Sequence, residues 1–258
     1  MRLVETMLLA AKIAIAFLTI LPARLPAELP VDGLRRSAGF FPLVGWLIGG
    51  VLAGSAWIFV WAGLPPLVSA VLLVTCGAWL TRGLHLDGLA DLLDGLGGGQ
   101  TPERRLAIMK DSATGAFGVI GLALLLVLKV ACLAALLAHD KPLVWMLPLF
   151  AAPVTARWAM TGLACGTHYP REAGTGHAFV GKVRGQELLV GWLFLLPLPW
   201  EEPLIVVVMA AAMLPACLLR FKATKALGGI TGDVLGASCE LGEACGWLAA
   251  VVLCSLGV

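Results

Sequence analysis

Three aspartates, Asp87, Asp91 and Asp94, stand at i, i+4 and i+7 in TRGLHLDGLADLLDGLGGGQTPERRLAIMKDS, residues 81–112. On an α-helix that spacing puts the carboxylates on one face, one above the other. Like charges stacked in this way repel by on the order of a few tenths of a kcal/mol per neighbour, so something positive is expected to offset them. Oxygen donors suit Mg²⁺, Mn²⁺ or Ca²⁺, whereas zinc sites more often carry His and Cys at ligand spacing. A solvated helix face is the plain alternative. A second acidic stripe lies in KALGGITGDVLGASCELGE, where Asp233, Glu240 and Glu243 fall at i, i+7 and i+10. Glycines and basic residues flank both stripes. Carboxylates to hold a metal, with Arg and Lys to hold anionic oxygens, form the layout that phosphoryl transfer uses.

The residues around the stripes carry weaker signals. Gly95, Gly97, Gly98 and Gly99 end the acidic helix, and with no Lys-Ser/Thr following them the run is not a P-loop. Thr101-Pro102 reads as an N-cap with Pro at the first helical position. The short helix from there carries Arg104, Arg105 and Lys110 toward Asp111, and Gly115 and Gly118 loosen the chain before the next apolar run. Lys129 and Arg157 lie inside apolar runs and are expected to face the bundle interior in pairs. Of these two, Arg157 in PVTARW is the better functional candidate. His85 precedes the acidic face and is either a phosphate or metal contact or a hydrogen-bonded interfacial histidine. His168 and His177 have no spacing that recommends a site.

The chain that must position these groups is 258 residues long, 60% hydrophobic and 13% charged, with a mean hydropathy of +0.94. Soluble domains carry about 25% charge, so the bulk of this chain belongs in a bilayer. Seven cysteines are scattered without a C-x-x-C, which suggests neither a disulfide framework nor a zinc ribbon. The first segment, MRLVETMLLAAKIAIAFLTILP, holds Glu5 and Lys12 inside its apolar run and shows no small-residue cleavage site, so it is not read as a signal peptide. Glu5, Lys12 and Thr19 mark one polar stripe, and the segment is either a bundle helix or one lying in the interface.

Seven further apolar stretches follow, at about 40–62, 66–81, 114–138, 142–166, 188–200, 203–219 and 241–258. Most approach the ~20 residues that a spanning helix needs, and 188–200 is short. The expected fold is all-α: a single polytopic integral membrane helical bundle over 1–258, with about seven spanning helices plus the N-terminal one. Its working loops are expected at about 81–113, 167–187 and 220–240. Arg24, Arg35, Arg36, Arg82, Arg104, Arg105, Lys110, Arg171, Lys182, Arg184, Arg220, Lys222 and Lys225 fall in alternate connections, and the intervening short ones contain only Lys141. Lys and Arg accumulate on the cytoplasmic side, so the long polar segments are expected to face the cytoplasm together.

The elements GLHLDGLADLLDGLGGG and ERRLAIMKDSATGAFG, with RRSAGFFPLVG (35–45), REAGTG (171–176) and GGITGDVLGASCELGE (228–243), are spread along almost the whole chain. In them the sequence resembles the cobalamin synthase family, the adenosylcobinamide-GDP ribazoletransferases. The resemblance implies an Mg²⁺-dependent multi-pass enzyme of a bacterial inner membrane, working at its cytoplasmic face. α-Ribazole, or its 5′-phosphate, would attack the cobinamide-side phosphate of adenosylcobinamide-GDP and GMP would leave. It implies a metal on Asp87, Asp91 and Asp94, with Asp233 or Glu240 completing the shell, and Asp94 or Asp111 as the base. Arg104, Arg105, Lys110 and Lys225 would clamp the pyrophosphate, with His85, Arg35, Arg36 and Arg157 as further substrate contacts. Expected partners are the two substrates and the lipid bilayer, with a homo-oligomer or other cobalamin-assembly enzymes beside them and no nucleic acid. The competing class is a cation-coupled transporter, which would place such acids near the bilayer midplane within inverted repeats. A third class is a structural membrane subunit that uses the acidic loops as a docking surface.

Overall fold

Apolar runs with few breakers leave the backbone no partner in lipid but itself, so they fold as helices. The computed structural model describes residues 2–200, 202 and 204–257, and all regular structure among them is helical. The order is α1 (Arg2–Leu18), α2 (Gly33–Ser37), α3 (Phe41–Trp61), α4 (Pro66–Leu80), α5 (Leu84–Gly98) and α6 (Pro102–Ile108). There follow α7 (Ala116–Leu137), α8 (Pro142–Ala164), α9 (Gly185–Leu193), α10 (Ile205–Leu227) and α11 (Gly232–Ser255). This is the expected all-α membrane bundle, with a lower count of long spans. Among the described residues five helical runs are long and apolar enough to cross a membrane: Gly33–Trp61, α7, α8, α10 and α11. α4 has 15 residues, about 22 Å of rise, and is followed by an 89° bend into α5.

Two expectations are corrected here. The stretch 188–200 is not a spanning helix, because α9 stops at Leu193 after nine residues. Pro197 and Pro199 lack the N–H that a helix needs and disfavour helical geometry in the residue before each. The 220–240 segment is not a loop either: α10 continues to Leu227 and α11 starts at Gly232, which leaves four connecting residues. Arg220, Lys222, Lys225, Asp233 and Glu240 therefore sit on helices.

α8 lies at the centre, packed by α3, α10 and α11 and buried along most of its length. Glycines permit this closeness. A Cβ on Gly45 of α3 would come within 2.5 Å of the Val154 Cα, and one on Gly49 within 2.7 Å of the Leu149 carbonyl. On the other side of α8, Gly242 and Gly246 of α11 meet Ala156 and Ala152. Small residues are how helices approach when no hydrophobic force separates protein from lipid.

Across the bundle the long polar segments gather at one end. Ile230 N donates to His168 O at 2.8 Å, Arg105 Nη1 to Ala226 O at 3.0 Å, and Arg82 Nη2 reaches the carbonyls that close α1. At the opposite end Asp140, Lys141, Glu202 and Leu204 share one groove. α1 packs on α2 and α3 with Ile13, Ala14 and Leu18 buried and Val4, Met7 and Leu8 exposed. Of its polar stripe, Glu5 and Lys12 are exposed and Thr19 is buried, its hydroxyl donating to Ile15 O.

Candidate active site

α5 is turned out of the line of α4 by two residues in the left-handed region, Arg82 (φ 55°) and Gly83 (φ 67°). A non-glycine residue there is uncommon. The Arg82 guanidinium fastens the turn to the Ala16 and Phe17 carbonyls, at 3.4 Å each. α5 thus lies across the polar end, outside the five long spans. It crosses α11 where each helix has a glycine: a Cβ on Gly88 would sit 2.9 Å from the Asp233 Cα, and one on Gly236 would sit 3.2 Å from the His85 Cα. The first acid of α11 is thereby held against the face of α5 that carries Asp87 and Asp91.

Asp87 is exposed and Asp91 half-buried. Burial, joined by the charges of Asp87 and Asp233, pushes the Asp91 carboxyl up to about 7. Thr231 caps α11, accepting from Val234 N at 3.3 Å, and donates to Asp233 Oδ2 at 3.2 Å. Arg171 Nη2 stands 2.9 Å from the same oxygen. Arg171 lies in the Gly-rich third loop. The loop has no helical period that would tie it to either stripe.

Several expected site residues have other work. Asp94 turns from its two neighbours toward α7, where its carboxylate accepts from Gly115 N at 2.7 Å and Gly118 N at 2.8 Å. It caps that helix, as an acid at an N-terminus does. Gly115 and Gly118 are small because a Cβ on either would come within 2.5–2.6 Å of that carboxylate. The structure thus corrects the reading of Asp94 as metal ligand or base, and that of the two glycines as mere loosening. Asp111 is exposed and accepts from Ala113 N at 3.1 Å in its own turn, so it is not gathered in.

Glu240 is corrected as a ligand and Arg157 as a substrate contact. Glu240 lies two helical turns below Asp233, about 10 Å deeper, and joins Glu243, Lys129 and Arg157 in a buried network. Lys129 Nζ bonds Glu240 and, at 2.8 Å, Glu243. Arg157 Nη1 bonds Glu243 at 2.8 Å and Pro153 O at 3.0 Å. Two cations balance two anions, which ties α7, α8 and α11 together.

Arg35 is likewise committed, buried in a pair with Glu187, which also accepts from Arg184 N at the start of α9. Arg105 donates to Gly99 O and Ala226 O and so frames the glycine run instead of facing a ligand. Arg36, Arg104, Lys110 and Lys225 are exposed at the polar end, Arg36 lying 3.7 Å from Asp32. His85 is buried and lines a cavity with Asp87 and Asp233. Burial, reinforced by the Arg157 guanidinium, pushes its pKa down to about 3, so the imidazole is neutral.

Among the described residues no three His, Cys, Asp or Glu side chains form a ready cage for a metal ion. The acids that meet here, Asp87, Asp91 and Asp233, could offer a hard divalent cation one or two carboxylates at a time. All their donors are oxygen, and Arg171 is the one cation paired with them among the described residues. Mg²⁺ usually keeps several waters and takes one or two carboxylates together with substrate phosphates, so a complete protein cage is not required.

Comparison with known proteins identifies the family. A family model described as cobalamin-5-phosphate synthase matches residues 10–251. A protein of Prosthecochloris aestuarii named adenosylcobinamide-GDP ribazoletransferase is 41% identical over 228 residues, which is 86% of this chain and 90% of its own. Proteins of the same name from Syntrophobacter fumaroxidans and Desulfitobacterium hafniense are 42% and 40% identical, over 89% and 90% of this chain and 93% and 92% of theirs. No solved structure matches. With both acidic stripes inside the matched region, the chain belongs to the cobalamin-5-phosphate synthase family.

Proposed function

We propose that this protein transfers the cobinamide phosphate of adenosylcobinamide-GDP to a hydroxyl of α-ribazole or its 5′-phosphate, releasing GMP. One P–O bond forms between the ribazole oxygen and the cobinamide-side phosphorus, and the P–O bond to GMP breaks. The observation that carries this reading is the meeting of Asp87 and Asp91 on α5 with Asp233 on α11, beside Arg171, at the polar end of the bundle. Asp87, Asp91 and Asp233 would hold Mg²⁺, which when bound offsets charge on the phosphoryl oxygens.

The chain's own part is positioning. Arg171, held by Asp233, presents a cation beside the carboxylates, and Arg104, Lys110 and Lys225 surround the same end to attract the anionic pyrophosphate. With Asp94 and Asp111 bonded elsewhere, Asp87 and Asp233 are the carboxylates that line the cavity and lie nearest to a hydroxyl seated there. Purified full-length protein given adenosylcobinamide-GDP and Mg²⁺ is expected to release GMP when α-ribazole is added and not before. GMP release without the acceptor, or none with it, overturns the reading.

The polar end faces the cytoplasm of a bacterial inner membrane in this reading. The support is charge: the basic loops meet at that end, and Lys141 is the basic residue of the opposite connections. Reporter tags after Arg36, Gly99, Gly176 and Lys225 are expected to be cytoplasmic, and a tag at Lys141 periplasmic. A periplasmic signal from any of the first four contradicts a shared cytoplasmic site.

A further inference from the structure

Behind Asp87 and Asp233 lies a cavity of about 160 Å³ with a largely apolar inner wall. Phe17, Phe41 and Phe179, from α1, α3 and the third loop, meet there with ring centroids 5.0, 5.4 and 6.3 Å apart, and Met160 lines the same wall. His85 lines this cavity while only 2% exposed, and neither of its ring nitrogens has a hydrogen-bond partner. A buried polar side chain left unmet is costly and rare. The His85 nitrogens are closed off from the cavity, so the wall it presents is chiefly aromatic rings, the lining of a site for a flat apolar ring that carries few polar atoms. The size agrees: an apolar cavity of about 150 Å³ takes up benzene.

We propose that this cavity seats the aromatic base of the acceptor nucleoside against the three phenylalanines, with the sugar left at the mouth beside Asp87 and Asp233. The assignment rests on the transfer reading and says which half of the reaction is bound deep. Ribazole carries a benzimidazole, an apolar bicycle with one free ring nitrogen. Guanine, on the donor, carries donors and acceptors along two edges. Buried among phenylalanines most of those would go unpaired, and that desolvation is not repaid. The guanine therefore stays outside, and acceptor and donor enter from different directions.

The test uses full-length protein in detergent and benzimidazole itself as the probe. Benzimidazole is expected to inhibit GMP release competitively against α-ribazole and not against adenosylcobinamide-GDP, and to bind the protein calorimetrically in the absence of both. Phe179→Ala, which removes one ring of the wall, should raise the KM for α-ribazole about tenfold and leave the KM for the donor within about twofold. Met160→Trp, which fills the cavity, should abolish benzimidazole binding. Competition against the donor, or no binding by protein that does release GMP, overturns the pocket assignment and leaves the transfer standing. Benzimidazole binding by protein that releases no GMP supports the cavity as a ring site and overturns the transfer reading.

Discussion

Asp91→Asn is expected to lower GMP release about a thousandfold or more while the protein stays folded in the membrane, and Asp87→Asn to do the same. Each change keeps the shape and removes a charge. Loss of charge stabilisation in the transition state is worth several kcal/mol, and each 1.36 kcal/mol is about tenfold in rate. Folding is insulated, because α5 is held by its glycine crossing with α11 and by the Asp94 cap on α7, and by neither of these two carboxylates. Asp91 adds a pH signature. With its carboxyl raised to about 7, it is protonated below that pH and cannot hold a cation, so Mg²⁺ affinity should fall as pH drops through 7. Asp91→Asn should remove that dependence. Glu103→Ala, at an exposed position in the first turn of α6, should cost less than about tenfold. Near-normal turnover by Asp87→Asn at limiting Mg²⁺ would sink the metal assignment.

The second large effect is on stability. Arg157→Met is expected to cost about 3–5 kcal/mol, because it leaves a surplus negative charge in a buried network. Arg157 is 1% exposed, and Glu243 relies on it and on Lys129. The readout is the thermal midpoint in detergent, with turnover measured separately on the fraction that remains folded. Arg157→Met combined with Glu243→Gln, which keeps the network neutral, should recover most of the loss. A wild-type midpoint together with lost turnover would return Arg157 to the substrate.

The helical spacing of Asp87, Asp91 and Asp94 was legible in the sequence, and so was the single face holding Asp233, Glu240 and Glu243. What spacing could not convey was depth and direction. Asp94 shares the stripe but is claimed by amides more than twenty residues away, and the trace of this in the sequence was the Gly115–Gly118 pair. Glu240 and Glu243 share a face with Asp233 but lie deeper, beside Lys129 and Arg157, whose own placement inside apolar runs already called for partners. The prolines at 197 and 199 were visible, but hydropathy summed over a window passes across them, which is why 188–200 read as a span. Arg171 and the three phenylalanines come from loops and helices far apart in the chain. Their convergence is a property of the packing, with no local pattern to announce it.

The crossing of α5 and α11 at Gly88 and Gly236 bears on the ion proposed for this site. The gap between Asp233 and the two acids of α5 is set by the absence of two methyl groups, since the backbones already touch there. Mg²⁺ takes its oxygens at about 2.0–2.1 Å and Ca²⁺ at about 2.3–2.6 Å, a difference smaller than one carbon–carbon bond. Helices pressed to backbone contact behave as a fixed jaw. If the acids at this crossing hold a divalent cation, as proposed, an alanine at either glycine should wedge the helices apart and move the preference toward the larger ion, which Mg²⁺ and Ca²⁺ titrations of the two variants would measure.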